Sequence, residues 1–126
     1  MIELDPSINV LGDALEPCGT QPMTGFLRDG YCNTCDEDAG SHTVCVELTN
    51  EFLEFSKSAG NDLSTPRPEW GFPGLKEGSS WCLCAERWKE ANASGHAPRV
   101  FLTRTHKKAL DVIPLTDLIT HAVDLN

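Results

Sequence analysis

From His42 to Leu48 the chain reads HTVCVEL, an alternating stretch rich in β-branched residues. With period 2 it predicts a strand, with Val44 and Val46 on one face and Thr43, Cys45 and Glu47 on the other. The period then changes. Thr49 is a good N-cap, Glu51 sits in a first turn, and Phe52, Leu53 and Phe55 form an apolar stripe, so TNEFLEFSKSAG predicts a helix that Gly60 stops. Trp81, Ala85 and Trp88 recur at helical spacing. A helix through AERWKEANASG to Gly95, capped by Ser79 or Ser80, is expected there. Trp81 to Cys84 fits equally the end of a strand or the start of that helix. Arg99 to Thr105, RVFLTRT, predicts a second strand. Thr105 is placed to cap a short helix, HKKALDVI, which Pro114 interrupts. The closing PLTDLITHAVDL carries Leu115, Leu118, Ile119 and Ala122 at helical spacing.

The remaining stretches lack a period. Residues 2–17 have one apolar piece, Ile8 to Leu11, between Pro6, Gly12 and Pro17, and predict a short strand or extended arm. Cys18-Gly19-Thr20 and Pro22 read as turn. Residues 24–42 read as loop, with Arg28-Asp29-Gly30 as a tight turn and Asp36, Glu37 and Asp38 as a solvated acidic cluster. Residues 61–80 hold Pro66, Pro68, Pro73, Gly71, Gly74 and Gly78. A connection of that length is uncommon unless functional or disordered, and Trp70, Phe72 and Leu75 argue for an ordered loop pinned by those side chains. The sum is one α+β domain spanning residues 1–126: a small mixed sheet, about three helices and long ordered loops.

Charge narrows the partners. The 126 residues carry a formal net charge of −9, which disfavours nucleic acid and anionic membrane surfaces. No apolar run is long enough to span a bilayer, and the N-terminus lacks the pattern of a secretory signal, so a cytoplasmic protein is expected.

Six cysteines are many for such a chain. In a secreted protein they would suggest a disulfide framework. Without a signal, reduced thiols, a metal site or catalysis fit better. In an extended segment Cys82 and Cys84 point to one face, where a single ion could meet both; in a helix they diverge. A metal reading takes Cys32, Cys45, Cys82 and Cys84, with His42 able to replace one, and zinc as the expected ion. A thiol-enzyme reading takes Cys45, Cys82 or Cys84 as nucleophile. The plainer reading makes most of them buried small hydrophobes. His106 and His121 read as solvent-facing helix residues, and His42 as the best functional histidine. Arg28, Asp29, His42, Asn61, Asp62, Arg67, Trp70 and Trp81 form the candidate rim of a small-ligand pocket, with an arginine meeting a carboxylate or phosphate. The plainer reading makes the polar loop members turn-formers.

NVLG at 9–12, TGFLRDGYCNT at 24–34, GSHTVC at 40–45 and EFLEFSKSAGNDLSTPRPEWGFPGLKEGSSWCLCAERWKEA at 51–91 together resemble a bacterial family of uncharacterised proteins, domain of unknown function 2237. The resemblance implies a compact domain of about this length and no particular reaction. It departs from the family's pattern at Cys35, where glycine is frequent, which weakens any mechanism resting on a Cys32-x-x-Cys35 pair. The expected function is binding of a metal ion or small ligand in a cysteine-lined pocket made by blocks 24–45 and 60–88. The alternatives are a thiol-dependent enzyme and an interaction module using the aromatic loop 66–75.

Overall fold

The computed structural model describes residues 6–20 and 23–124. The expected turn at Pro22, the start of the N-terminal arm and the end of the last helix at Leu125 lie outside the described residues. Strand β1 (His42–Glu47) and helix α1 (Asn50–Ser58) fall where the pattern predicts them. The Thr49 hydroxyl accepts from the Phe52 amide at 3.1 Å, closing one of the orphan donors of the first turn. Gly60, at φ 95°, takes the left-handed position after the helix.

Strand β2 (Ser80–Cys84) runs directly into helix α2 (Ala85–Ala93), so Trp81 to Cys84 is strand and Cys84 is the residue capping the helix. β3 (Arg99–Val100) is followed by 3-10 turns at Leu102–Arg104 and Lys107–Asp111 and by a short helix, α3 (Leu115–Thr120). The sheet order is β2-β1-β3. Both pairings are antiparallel rather than mixed, and one isolated parallel bridge joins Val100 to Ala122.

The central strand sorts two clusters by its period. Val44 and Val46, with Trp81 and Leu83 of β2, enter a core shared with Phe52, Trp88, Val100 and Leu118. The alternate residues Cys45 and Cys82 lie opposite each other in register and enter a second cluster with Cys18 and Cys32. Residues 6–20 and 23–41, which contain no helix or strand, reach the sheet through that second cluster. They are also tied by Asn9, which is fully buried. Its side chain accepts from the Leu11 and Asp13 amides and donates to the Ala14 and Thr103 carbonyls.

Several expectations yield to side-chain hydrogen bonds. The strand predicted over 99–105 stops after Val100. The Asp124 carboxylate takes the amides of Leu102 and Thr103 at 2.8 and 3.0 Å, and the Thr105 hydroxyl takes the Cys45 amide at 3.1 Å. Those groups substitute for ladder partners. His106, expected on a solvent-facing helix, is buried. It replaces Thr105 as the cap, its Nδ1 accepting from the Lys108 amide at 2.9 Å. His121 is half-buried, edge-on to Trp88 and bonded through Nε2 to Asn92. In the 61–80 loop, Leu75 is buried and Phe72 packs on Trp81. Trp70 does not pin the loop: it is 77% exposed, with the Arg67 guanidinium over its ring.

Candidate functional site

β2 is an edge strand, and a cleft of about 470 Å³ opens beside it. The cleft is lined by Phe26, Arg28 and His42 from the earlier part of the chain and by Asn61, Leu63, Trp81, Leu83, Cys84 and Arg87 from the later part. All nine come from the two blocks 24–45 and 60–88. Both arginines are held by backbone carbonyls. Arg28 sits at φ 55°, a left-handed conformation uncommon for a residue with a side chain. Its Nη1 donates to the Gly25 carbonyl at 2.8 Å, and its guanidinium lies 5.0 Å over the Trp81 ring. Gly25 itself needs to be glycine: at φ 97° any Cβ would overlap the Tyr31 carbonyl. Arg87, on α2, donates to the Ala59 carbonyl at the end of α1 and to Glu90.

His42 is oriented by Asp38. The Asp38 side chain is fully buried, and its Oδ1 lies 2.6 Å from His42 Nδ1. Its Oδ2 accepts from the His42 amide and the Thr34 hydroxyl. Asp38 is thus a buried anchor and not part of a solvated acidic cluster; Asp36 and Glu37 remain exposed. Phe26 stacks on the imidazole at 6.0 Å. Ser41, the residue before it, is the other described non-glycine residue with positive φ. His42 and Cys84 face each other across the β1–β2 ladder, beside a one-residue slip in register at Thr43. The Cys84 thiol and the imidazole both lie against Gly40. A Cβ there would stand 2.9 Å from His42 Cε1 and 3.5 Å from Cys84 Sγ. With Nδ1 turned to the carboxylate, Nε2 is the nitrogen left for other work.

The other cysteines are elsewhere. Cys18 is bonded to Cys45, and Cys32 to Cys82. The cleft therefore has one cysteine, and of the thiol candidates Cys45, Cys82 and Cys84 only Cys84 is free. The four sulfurs proposed from sequence as a metal set, Cys32, Cys45, Cys82 and Cys84, do not converge as a group. Cys18 stands where Cys84 was expected, because Cys84 ends the strand beyond the register slip. Cys35 is free and buried. Burial, then its bond to Glu37, pushes its thiol pKa up, so it is a poor nucleophile.

Among the predicted rim residues, Arg28, His42, Asn61 and Trp81 line the cleft. Trp70 lines a smaller hollow of about 230 Å³ that shares Arg28 and Trp81 with the cleft. Asp62 is a turn-former: it accepts from the Ser64 and Thr65 amides and the Thr65 hydroxyl. The Thr65 hydroxyl bond, more than any other contact, lowers its pKa. Asp29 accepts from the Tyr31 amide and Asn33. Arg67 stays with Trp70. Sequence reasoning missed Phe26, Leu63, Leu83, Arg87, Asp38 and Cys18. Arg87 reads as the polar face of a helix, and Cys18 has no neighbouring cysteine to mark it.

These features define a small α+β protein whose long N-terminal loops are fastened to one face of an antiparallel sheet by a cluster of cysteines. The chain belongs to the family described as "Uncharacterized protein conserved in bacteria (DUF2237)", whose model matches residues 8–122. No protein of curated function matches it. No helix among the described residues is long and apolar enough to cross a membrane.

Proposed function

We propose that this protein binds a small organic anion in the Arg28–Arg87 cleft. The observation that carries the reading is electrostatic. Among the described residues, two guanidinium groups and no carboxylate line the cleft of a chain with net charge −9, and Glu90, which pairs with Arg87 at 3.2 Å, is not part of that lining. Arginine forks suit carboxylate and phosphate groups. Phe26, Leu63, Trp81 and Leu83 offer an apolar wall for the rest of the molecule, the usual composition of a small-molecule site. The left-handed backbone at Arg28 supports the same reading, since such strain, on the order of 1–3 kcal/mol, collects at ligand clamps. The test is a thermal-shift panel of aliphatic and aromatic carboxylates and phosphate esters on wild type, Arg28→Ala and Arg87→Ala. A ligand at 100 times its Kd stabilises by about 2.7 kcal/mol, and both variants should lose that shift. A panel in which no anion shifts wild type more than the variants refutes the reading.

A thiol-dependent enzyme is the second reading, favoured by the Cys84–His42–Asp38 arrangement over Gly40. It follows the order nucleophile, base, orienting carboxylate. The Cys84 proton would pass to His42 Nε2 as sulfur bonds to the carbonyl carbon of an anionic ester or thioester. The leaving alcohol or thiol would take that proton, and water would then release the acid and restore the thiol. Iodoacetamide should label Cys84 at least tenfold faster in wild type than in His42→Gln. Equal rates sink this reading without touching the first.

A further inference from the structure

We infer that Cys18, Cys32, Cys45 and Cys82 form a buried zinc centre when their two disulfides are reduced. The inference is independent of the cleft and rests on convergence. The sulfurs of Cys18, Cys32 and Cys82 all lie within 4.8 Å of one another, although only Cys32 and Cys82 are bonded. The Cys45 sulfur lies outside that group of three but is bonded to Cys18, so it borders it. Two disulfides need not touch; here they form one cluster. A tetrahedral site with Zn–S bonds of about 2.3 Å holds its sulfurs about 3.8 Å apart. Opening both bonds therefore leaves three thiols near that separation, with the Cys45 thiol next to Cys18 to be drawn in by the metal.

The frame that sets this distance is already rigid. Cys45 and Cys82 are opposed partners on β1 and β2. Cys18 is fixed beside them by its backbone N–H, which donates a hydrogen bond to the Gly30 carbonyl at 2.7 Å. All four residues are at most 3% exposed, with Phe101 packed against them. A dry, closed, four-sulfur shell has no open position for water, which is the form of a structural rather than a catalytic zinc site. The Arg104 guanidinium lies 4.5 Å over the Phe101 ring, a cation one ring away from the negative charge that four thiolates around one zinc ion would carry.

The chemistry balances with a dithiol as reductant. Each disulfide takes two electrons and two protons from one dithiol, which closes to its own disulfide, leaving four protein thiols. Zinc then binds four thiolates and releases four protons to solvent. Both forms answer one structural need. Residues 6–20 and 23–41 have no helix or strand of their own, and either the two bridges or the metal fastens them to the sheet.

The test uses the full, untagged chain, reduced with excess dithiol under anaerobic conditions in the presence of zinc. The mass of the denatured protein checks that both bridges have opened. Native mass spectrometry should find one zinc per chain. Alkylation in that state should modify Cys35 or Cys84 only, and chelator should open the other four to reagent. Cobalt in place of zinc should give the absorption of a tetrahedral thiolate site. Cys84→Ser should retain one metal per chain. A reduced chain that takes up no zinc, or whose zinc protects Cys84 in place of Cys18, overturns the inference. Neither readout requires the metal-free reduced chain to fold.

Discussion

Gly40→Ala probes the packing at the cleft with a single methyl group. The backbone at Gly40 is not in the left-handed region, so alanine meets no conformational barrier. Its Cβ would stand 2.9 Å from His42 Cε1, closer than real Cβ contacts come. One of the two must give. The imidazole is the movable partner, since it is 39% exposed whereas Asp38 beside it is fully buried. Displacing the ring breaks the Asp38–His42 contact and leaves a buried carboxylate oxygen short of a partner. A hydrogen bond to a charged group contributes about 1.5–3 kcal/mol, less where one partner is solvated. Overpacking adds a term of about 1 kcal/mol or more. The expected loss is about 1–3 kcal/mol, or roughly 4–11 °C in Tm for a domain of this size. Urea unfolding at constant m measures it. The control is the same substitution in a His42→Ala background, where the obstacle is gone and the added methyl should cost less than about 0.5 kcal/mol. An equal loss in both backgrounds would show that the imidazole is not what Gly40 accommodates, and the arrangement of Cys84, His42 and Asp38 would have to be abandoned.

Two further predictions concern the tether and the C-terminal clamp. Asn9→Ala removes four hydrogen bonds of a buried side chain. It should cost about 2–4 kcal/mol by urea titration; a loss below 1 kcal/mol would mean the N-terminal loops are held without it. Burial opposes ionisation of Asp124, yet the amides of Thr103 and Leu102 and the Thr103 hydroxyl outweigh it and hold its pKa below the ordinary value. Its contribution is therefore in place above the usual carboxylate range and is lost as pH falls through the lower folded value. Asp124→Asn should cost about 1 kcal/mol at neutral pH, allowing for its partial exposure. The gap from wild type should close in acid. A gap that is constant from neutral to acid pH contradicts the assignment.

Local pattern was enough where one element's chemistry is contained in its own residues. The alternation of 42–48, the Thr49 cap and the Gly60 stop depend on neighbours a few positions apart, and the structure keeps all three. Family membership was legible for the same reason, in contiguous blocks such as 51–91. The readings that shifted depend on partners far along the chain. Residues 101–105 have the composition of a strand, but Asp124 takes the Leu102 and Thr103 amides across about twenty residues. His106 looks like a helix-surface residue, but its amide is drawn to the Thr43 carbonyl and its ring is buried.

The cysteines mark the boundary most sharply. Composition shows six of them, and period 2 correctly puts Cys45 opposite in face to Val44 and Val46. Nothing local says that Cys18, isolated before a turn, meets Cys45 across a separation of 27 residues, or that Cys32 meets Cys82 across 50. By loop-closure entropy such cross-links are worth about 3.5 and 4 kcal/mol, yet spacing in the chain leaves their pairing undetermined. The cleft is similar. Arg28, Trp81 and Arg87 were present as letters, but their convergence rests on a left-handed backbone, a ring stack and a carbonyl at the end of α1. Sequence determines which residues can form an element. Which elements share a face, and so which side chains share a site, is decided by long-range burial and hydrogen bonding that exist only once the chain is folded.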